Sequence, residues 1–456
     1  MTEGGIAKKL LLFALPLMAE NMFQLLYNTM DTMIVGRCIG NDALSAVGAT
    51  TTLIFAFTSI FIGLGAGGTV VVAQRFGARQ WNEMREAIQN VFALSIICGI
   101  IMLALGQLTM VTALRWVNVP ENIFEPALQY LCAYFWGIPA TAIFNVGSGI
   151  LRAMGNSRYP VYILVSSSVL NIAMDLLFIL VFQWGIAGAA WATVISQYLS
   201  VTAVLLVFAR TKEEHHFSLK ELCLKRQTLK PIVRVSLPQA VERFVTSGSN
   251  VIVQSYINHF GAAFIGGYTI HSRIDLFFFM LTSSLGTATL TFAGQNVGAM
   301  KYERLKKGPQ IAFMLAAALV CAGFLLVIPL RYQIAKLFSD DQQIIEYAAQ
   351  LMSYLLPLYL LAAFYNPYCS AIKGTGDVFP VTLIMLNGFV ISRQIYLLIV
   401  TRYIANTPFW VMSSLPFGWF VCAAGTAAYY FSGRWKRRLV LQKNDAQKKA
   451  GGNDVL

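Results

Sequence analysis

IAFMLAAALVCAGFLLVIPL, residues 311–330, runs for twenty positions without a charged side chain and without alternation of polar and apolar residues. About 20 apolar residues in helical form are what a hydrocarbon core roughly 30 Å thick requires. A strand of a membrane barrel would instead be a segment of about ten residues alternating in polarity. The stretch therefore predicts a transmembrane helix, and similar runs recur along almost the whole 456-residue chain. Composition agrees, with 57% hydrophobic and only 12% charged residues, where soluble chains carry about 25% charged residues. The fold class predicted is an all-α membrane protein.

Apolar runs bounded by charge or by Gly and Pro clusters place helices near 11–34, 45–73, 88–113, 127–151, 159–182 and 186–209, and again near 231–257, 265–293, 309–330, 346–372, 379–401 and 408–431. Between the two sets lies TKEEHHFSLKELCLKRQTLK, residues 211–230, the longest strongly charged stretch between spans. The chain thus divides into an N-terminal six-helix lobe (1–210), a cytoplasmic linker (211–230), a C-terminal six-helix lobe (231–435) and a polar, Lys-rich tail (436–456) read as disordered. Lys8-Lys9 followed by Leu10 to Ala19 imitates a signal peptide. Apolar character resumes beyond Glu20 and Asn21, which makes a full span the better reading.

The net charge of +13 would point to nucleic acid in a soluble protein. Here the basic residues sit in short loops and report topology. With the N-terminus in the cytoplasm, 26 of the 34 Lys and Arg fall on the cytoplasmic side, 5 outside, and Arg243, Arg273 and Arg393 within spans. Both termini are therefore expected in the cytoplasm, and no nucleic-acid partner is expected. The seven cysteines are scattered singly with no CxxC pair and read as packing residues.

The two halves of the chain repeat one another at a constant offset. Gln74-Arg75-Phe76-Gly77-Ala78 matches Gln295-Asn296-Val297-Gly298-Ala299, Phe144-Asn145 matches Tyr365-Asn366, and Gly155 meets Gly376. Leu15-Pro16 recurs one residue further on as Leu237-Pro238. Because each half holds an even number of spans, both enter the membrane from the same side. They form parallel repeats, an arrangement that transporters use to rock two bundles about a central site.

Ionisable residues inside spans are costly, about 2.5–3.5 kcal/mol at the helix centre even on the gentlest scale, and mark functional positions. Glu20, Gln24, Asn28 and Asp31 share one face of the first helix, and Gln239, Glu242, Thr246 and Asn250 share one face of the seventh. Two related polar stripes predict a shared water-filled cleft lined by Gln24, Asn28, Glu242, Thr246, Asn250 and Arg393. Gln24, Asn28 and Asn250 are equally readable as interhelical hydrogen-bonding groups. Asn171 and Asp175 lie one turn apart on the fifth helix. Counting about 1.5 Å per residue, Asp31 and Asp175 reach the same outer half of the membrane, where they can meet. The repeat mate of Asp175 is Tyr396, so this acidic site belongs to the first half. Glu20 reads as a residue reaching towards water, and Arg273 with Asp275 as a local ion pair.

Other patterns carry less. Gly63-Leu-Gly65-Ala-Gly67-Gly68 lies inside an apolar span without a preceding strand and reads as close helix packing, not a dinucleotide loop. His215-His216 lack a third ligand at metal-site spacing. No nucleophile elbow, Walker loop or HExxH is present, so the chain is read as neither an enzyme nor ATP-driven, with no cofactor beyond a coupling ion.

Together, Leu15-Pro16, the segment Gln24-Leu-Leu-Tyr27-Asn28-Thr-Met-Asp31-Thr-Met-Ile-Val-Gly36, Gln74-Arg-Phe-Gly77-Ala78, Leu151-Arg152-Ala-Met-Gly155-Asn156, Asn171-Ile-Ala-Met-Asp175 and Gly294-Gln295-Asn296-Val-Gly298-Ala299 resemble the multidrug and toxic compound extrusion family, of the bacterial type. The resemblance spans nearly all of residues 8–435. It implies twelve helices in two lobes and a monomeric exporter in the inner membrane that expels cationic or amphipathic organic compounds in exchange for Na+ or H+. It implies ion and proton coupling at Asp31, Asn171 and Asp175; because the paired acids lie only in the first half, a more passive second lobe is expected. The alternative within transport is a flippase for a lipid-linked or polysaccharide precursor, for which only Arg393 is a well-placed basic residue.

Overall fold

The computed structural model describes residues 1–117, 119–210 and 222–436. The linker residues 211–221, with His215 and His216, and the tail residues 437–456 lie outside the described residues. Two compact units emerge, one formed by Leu15–Val241 and the other by Met1–Ala14 with Glu242–Leu456.

The first-half unit holds most of α1 (Ile6–Cys38), then α2 (Asn41–Gly77), α3 (Trp81–Trp116), the pair α4 (Glu121–Phe135) and α5 (Ile138–Ala153), α6 (Arg158–Leu176) and α7 (Gly185–Arg210). The second-half unit holds the later part of α8 (Arg226–Asn258), then α9 (Ala262–Gly298), α10 (Tyr302–Val327), the short α11 (Arg331–Lys336) and the pair α12 (Gln342–Leu355) and α13 (Tyr359–Gly374). It ends with α14 (Val378–Leu386) and α15 (Arg393–Ile399), then α16 (Pro408–Met412) and α17 (Ser414–Phe431). Among the described residues ten helices are long and apolar enough to cross a bilayer, and eleven when the bent pair α4 and α5 counts as one span. α8, 33 residues long but carrying Glu242 and Arg243 at its middle, completes the twelve. The ends run several residues beyond the apolar runs because their first and last turns are polar, as with Glu83 in α3 and Arg75 in α2.

The helices present large apolar side chains outward. Leu108, Trp116, Leu325, Leu326 and Phe431 are each more than 60% exposed. So many exposed large apolar side chains are foreign to a soluble monomer and fit contact with lipid. Inside the units, apolar cores such as Phe61, Phe135 and Ile186 in the first half, and Val253, Phe264 and Leu397 in the second, hold the helices together.

The repeat is written into the backbone. Gly40 and Gly261, Gly155 and Gly376, and Arg79 and Met300 are repeat mates, and all six residues adopt positive φ. Glycine takes that conformation without steric cost. Breaks are repeated as well. α4 and α5 bend by 50° across Trp136 and Gly137, and the matching positions Pro357 and Leu358 lie in the tight turn Leu356–Leu358 between α12 and α13. π-helical turns follow α6 at Leu177–Val181 and α15 at Val400–Ile404.

The glycine run of α2 packs as the sequence predicts. A Cβ on Gly63 would stand 2.5 Å from the Ala240 backbone, and one on Gly67 would stand 2.0 Å from Ser236 Oγ. Gly67→Val is therefore expected to lower the melting temperature of the purified protein, since overpacking costs about 1–3 kcal/mol. Gly48→Val, whose Cβ would meet nothing within 4 Å, should leave it unchanged. Equal melting temperatures for the two variants would contradict this packing.

Candidate functional site

Within the first-half unit α1, α4, α6 and α7 converge on a polar cluster in an otherwise apolar bundle. Asp31 on α1 is 9% exposed, and Asn171 and Asp175 on α6 are fully buried. The Asp31 and Asp175 carboxyls come within hydrogen-bonding reach of each other. Asn171 donates from its amide nitrogen to Asp175 Oδ2 at 3.0 Å, and its amide oxygen accepts from the Thr193 backbone N–H at 3.2 Å. The three residues that the sequence singled out thus meet at one point.

The sequence reading missed the residues that enclose them. The Tyr27 hydroxyl approaches the Thr193 side chain, and the Tyr134 hydroxyl approaches Gln197. Tyr130 and Tyr134 stack at 5.9 Å between ring centroids. Tyr27 lies one turn before Asp31, and Thr193 lies one turn before Gln197, so the spacing was present. Asp31 Oδ1 and Asp175 Oδ1 are buried with no hydrogen-bond partner among the described residues. Two adjacent carboxylates with unpartnered oxygens form a site with an unmet demand for positive charge. An oxygen-only set of this kind suits a hard cation or a proton shared between the acids.

The expected cleft residues fall into separate groups. On α1, Gln24 donates to Asn28 at 3.1 Å. In the second-half unit Arg393 is 3% exposed and donates from Nη2 to Ser249 Oγ at 2.7 Å and to Asn250 Oδ1 at 2.9 Å. Its Nε is buried without a partner among the described residues. Thr246 is half-buried on α8, and among the described residues no hydrogen bond joins it to Asn250 or Arg393.

Glu242 is engaged: Lys373 Nζ donates to its Oε2 at 2.9 Å, and Thr382 adds a contact at 3.3 Å. Glu20 is not reaching for water but pairs with Arg152 at 3.0 Å. These are one interaction repeated. Lys373 is the repeat mate of Arg152, and Glu242 is that of Glu20 with the same one-residue slip that relates Leu15-Pro16 to Leu237-Pro238. A second correction concerns Asp275. It does not pair with Arg273, since residues two apart point to opposite sides of a helix; it faces His271, one turn back, at 3.8 Å.

Twelve spans in two repeated bundles, one of them enclosing a buried carboxyl pair, define a repeat-built membrane transporter. The MatE family model matches residues 16–177 and 238–396, and the chain belongs to that family. "Probable multidrug resistance protein YoeA" of Bacillus subtilis is 27% identical over 394 residues, covering 84% of this chain and 85% of that protein. "Probable multidrug resistance protein NorM" of Thermotoga maritima is 26% identical over 450 residues, covering 96% of this chain and 95% of that protein. The solved structure of a MOP superfamily transporter from Pyrococcus furiosus superposes with a TM-score of 0.86 at 23% identity, covering 96% of this chain and 97% of that one.

Removing one partner of the repeated ion pair leaves a charge stranded beside apolar surface. Glu242→Gln is expected to destabilise the protein by about 1–3 kcal/mol, read as a lower melting temperature. The double variant Glu242→Gln/Lys373→Met should recover most of that loss. A double variant less stable than the single one would show that the pair is not the cause.

Proposed function

We propose that this transporter exports small organic compounds, mostly cationic or amphipathic, in exchange for Na+ or H+ by alternating access. The observation that carries the reading is the buried contact between Asp31 and Asp175, completed by Asn171 and by oxygens that lack donors. Two carboxylates this close and this dry cannot both stay charged without a compensating cation. An ion entering from outside neutralises the pair, and the release of that ion on the inner side restores the repulsion. Substrate is bound in one state of the pair and let go in the other. An inward-moving charge contributes about 2.3 kcal/mol per 100 mV, enough to hold a substantial substrate gradient.

The names of the relatives, multidrug resistance proteins among them, support organic drugs as cargo and do not favour a flippase. In this reading both termini face the cytoplasm, the side that collects 26 of the 34 basic residues. The protein works as a monomer in the inner membrane.

Efflux of a cationic dye from proteoliposomes under an imposed Na+ or H+ gradient tests the reading. Asp31→Asn and Asp175→Asn should each slow ion-driven efflux by roughly tenfold or more, the consequence of losing a charge-assisted contact of about 1.5–3 kcal/mol. Variants that pump as fast as the unsubstituted protein would remove the pair from the mechanism.

A further inference from the structure

The first-half pair is not the only set of titratable groups held inside a bundle. His271 and Asp275 lie one turn apart on α9, and nothing in the proposed transport step uses them. The His271 side chain is 1% exposed, and its Nε2 stands 3.8 Å from Asp275 Oδ1. Among the described residues, both imidazole nitrogens and that carboxylate oxygen are buried without a hydrogen-bond partner. A neutral imidazole offers one donor and one acceptor, so three adjoining polar atoms are left unmet in apolar surroundings. Their separation is too long for a hydrogen bond and short enough that a small side-chain movement closes it.

We propose that His271 and Asp275 form a second proton-binding site, in the second-half unit, where one proton is shared between Nε2 and Oδ1. The proton comes from water; an N–H bond forms at Nε2, and the pair goes from a net negative charge to neutrality. Neutralisation is the state an apolar bundle favours. Part of the Asp275 side chain, 32%, stays accessible and gives the proton its way in. A metal ion is the poorer occupant, because hard cations select oxygen ligands and this site offers two nitrogens and one unmet oxygen.

The groups around the dyad are few. Tyr268 on α9 has its ring 6.5 Å from His271. Tyr359 on α13 donates to the Asp275 backbone carbonyl at 3.3 Å, which brings its hydroxyl close to the Asp275 side chain. Arg393 on α15 approaches Tyr268, not the dyad itself. Among the described residues α10 and α12, which also pack on α9, bring no charged group to bear on His271 or Asp275. Proton uptake here therefore tightens α9 locally and acts on α13 through Tyr359. The repeat mates of His271 and Asp275 are Thr50 and Ile54, so the first half has no such dyad. With this dyad, both halves carry titratable sites, on non-equivalent helices.

The test counts protons and needs no transport, so it stands or falls separately from the antiport reading. Full-length protein in lipid nanodiscs, in weakly buffered solution, is taken from roughly pH 8 to roughly pH 5, the window in which histidine charge changes, and the protons absorbed are measured. Asp275→Asn should reduce the uptake by about one proton per molecule, His271→Gln, which leaves the buried carboxyl to take the proton alone, should move that uptake to lower pH, and the double variant should lose no more than Asp275→Asn. The same decrement should appear in an Asp31→Asn background. Unchanged uptake in Asp275→Asn, an unmoved midpoint in His271→Gln, or a further loss in the double variant would overturn the proposal. Should the His271 variant not fold, 15N spectra of histidine-labelled unsubstituted protein decide. One of the four imidazoles should carry an N–H protected from exchange with water at the acid end, and four freely exchanging imidazoles would overturn the dyad.

Discussion

A carboxylate inside a bundle whose outer surface is apolar must be neutralised, paired or put to use, and that constraint orders most of this structure. Three solutions coexist. Glu20 and Glu242 are paired with Arg152 and Lys373. Asp275 faces an imidazole. Asp31 and Asp175 face each other, the arrangement with the least internal compensation, and so the one whose state depends most on what enters from outside.

The repeat explains why some of these solutions come in twos. An ion pair joining corresponding helices at corresponding depths in each unit fastens the scaffold, and the left-handed backbone at Gly155 and Gly376 repeats with it. Function parts from symmetry at the remaining acids. Asp175 has Tyr396 as its repeat mate, and His271 has Thr50. The scaffold is duplicated, whereas the titratable groups are specific to each half.

Apolar runs and the distribution of Lys and Arg made the helices legible because a bilayer imposes length and sidedness directly on sequence. Their ends were less legible: α3 begins at Trp81, well before its apolar run, since polar turns outside the hydrocarbon carry no hydropathy signal. Asp31, Asn171 and Asp175 were readable from intramembrane charge and helical spacing. Tyr130, Tyr134, Thr193 and Gln197 were not, because tyrosine and polar neutral side chains are common in spans and only packing brings them together. The Glu20 to Arg152 and Glu242 to Lys373 pairs join residues 132 and 131 positions apart, beyond what spacing can show. The i, i+4 relation of His271 and Asp275 was visible, but the nearer Arg273 drew the reading to a pair that helix geometry forbids.

The central claim is that the carboxyl pair of the first-half unit carries the coupling ion and gives it up as substrate binds. The direct measurement is ion release from purified protein in nanodiscs on addition of a cationic dye, followed with a pH indicator and a Na+ indicator in parallel. The account predicts release of H+ or Na+ that saturates with dye and disappears in Asp175→Asn. Dye binding without release of either ion, or equal release from Asp175→Asn, would contradict it.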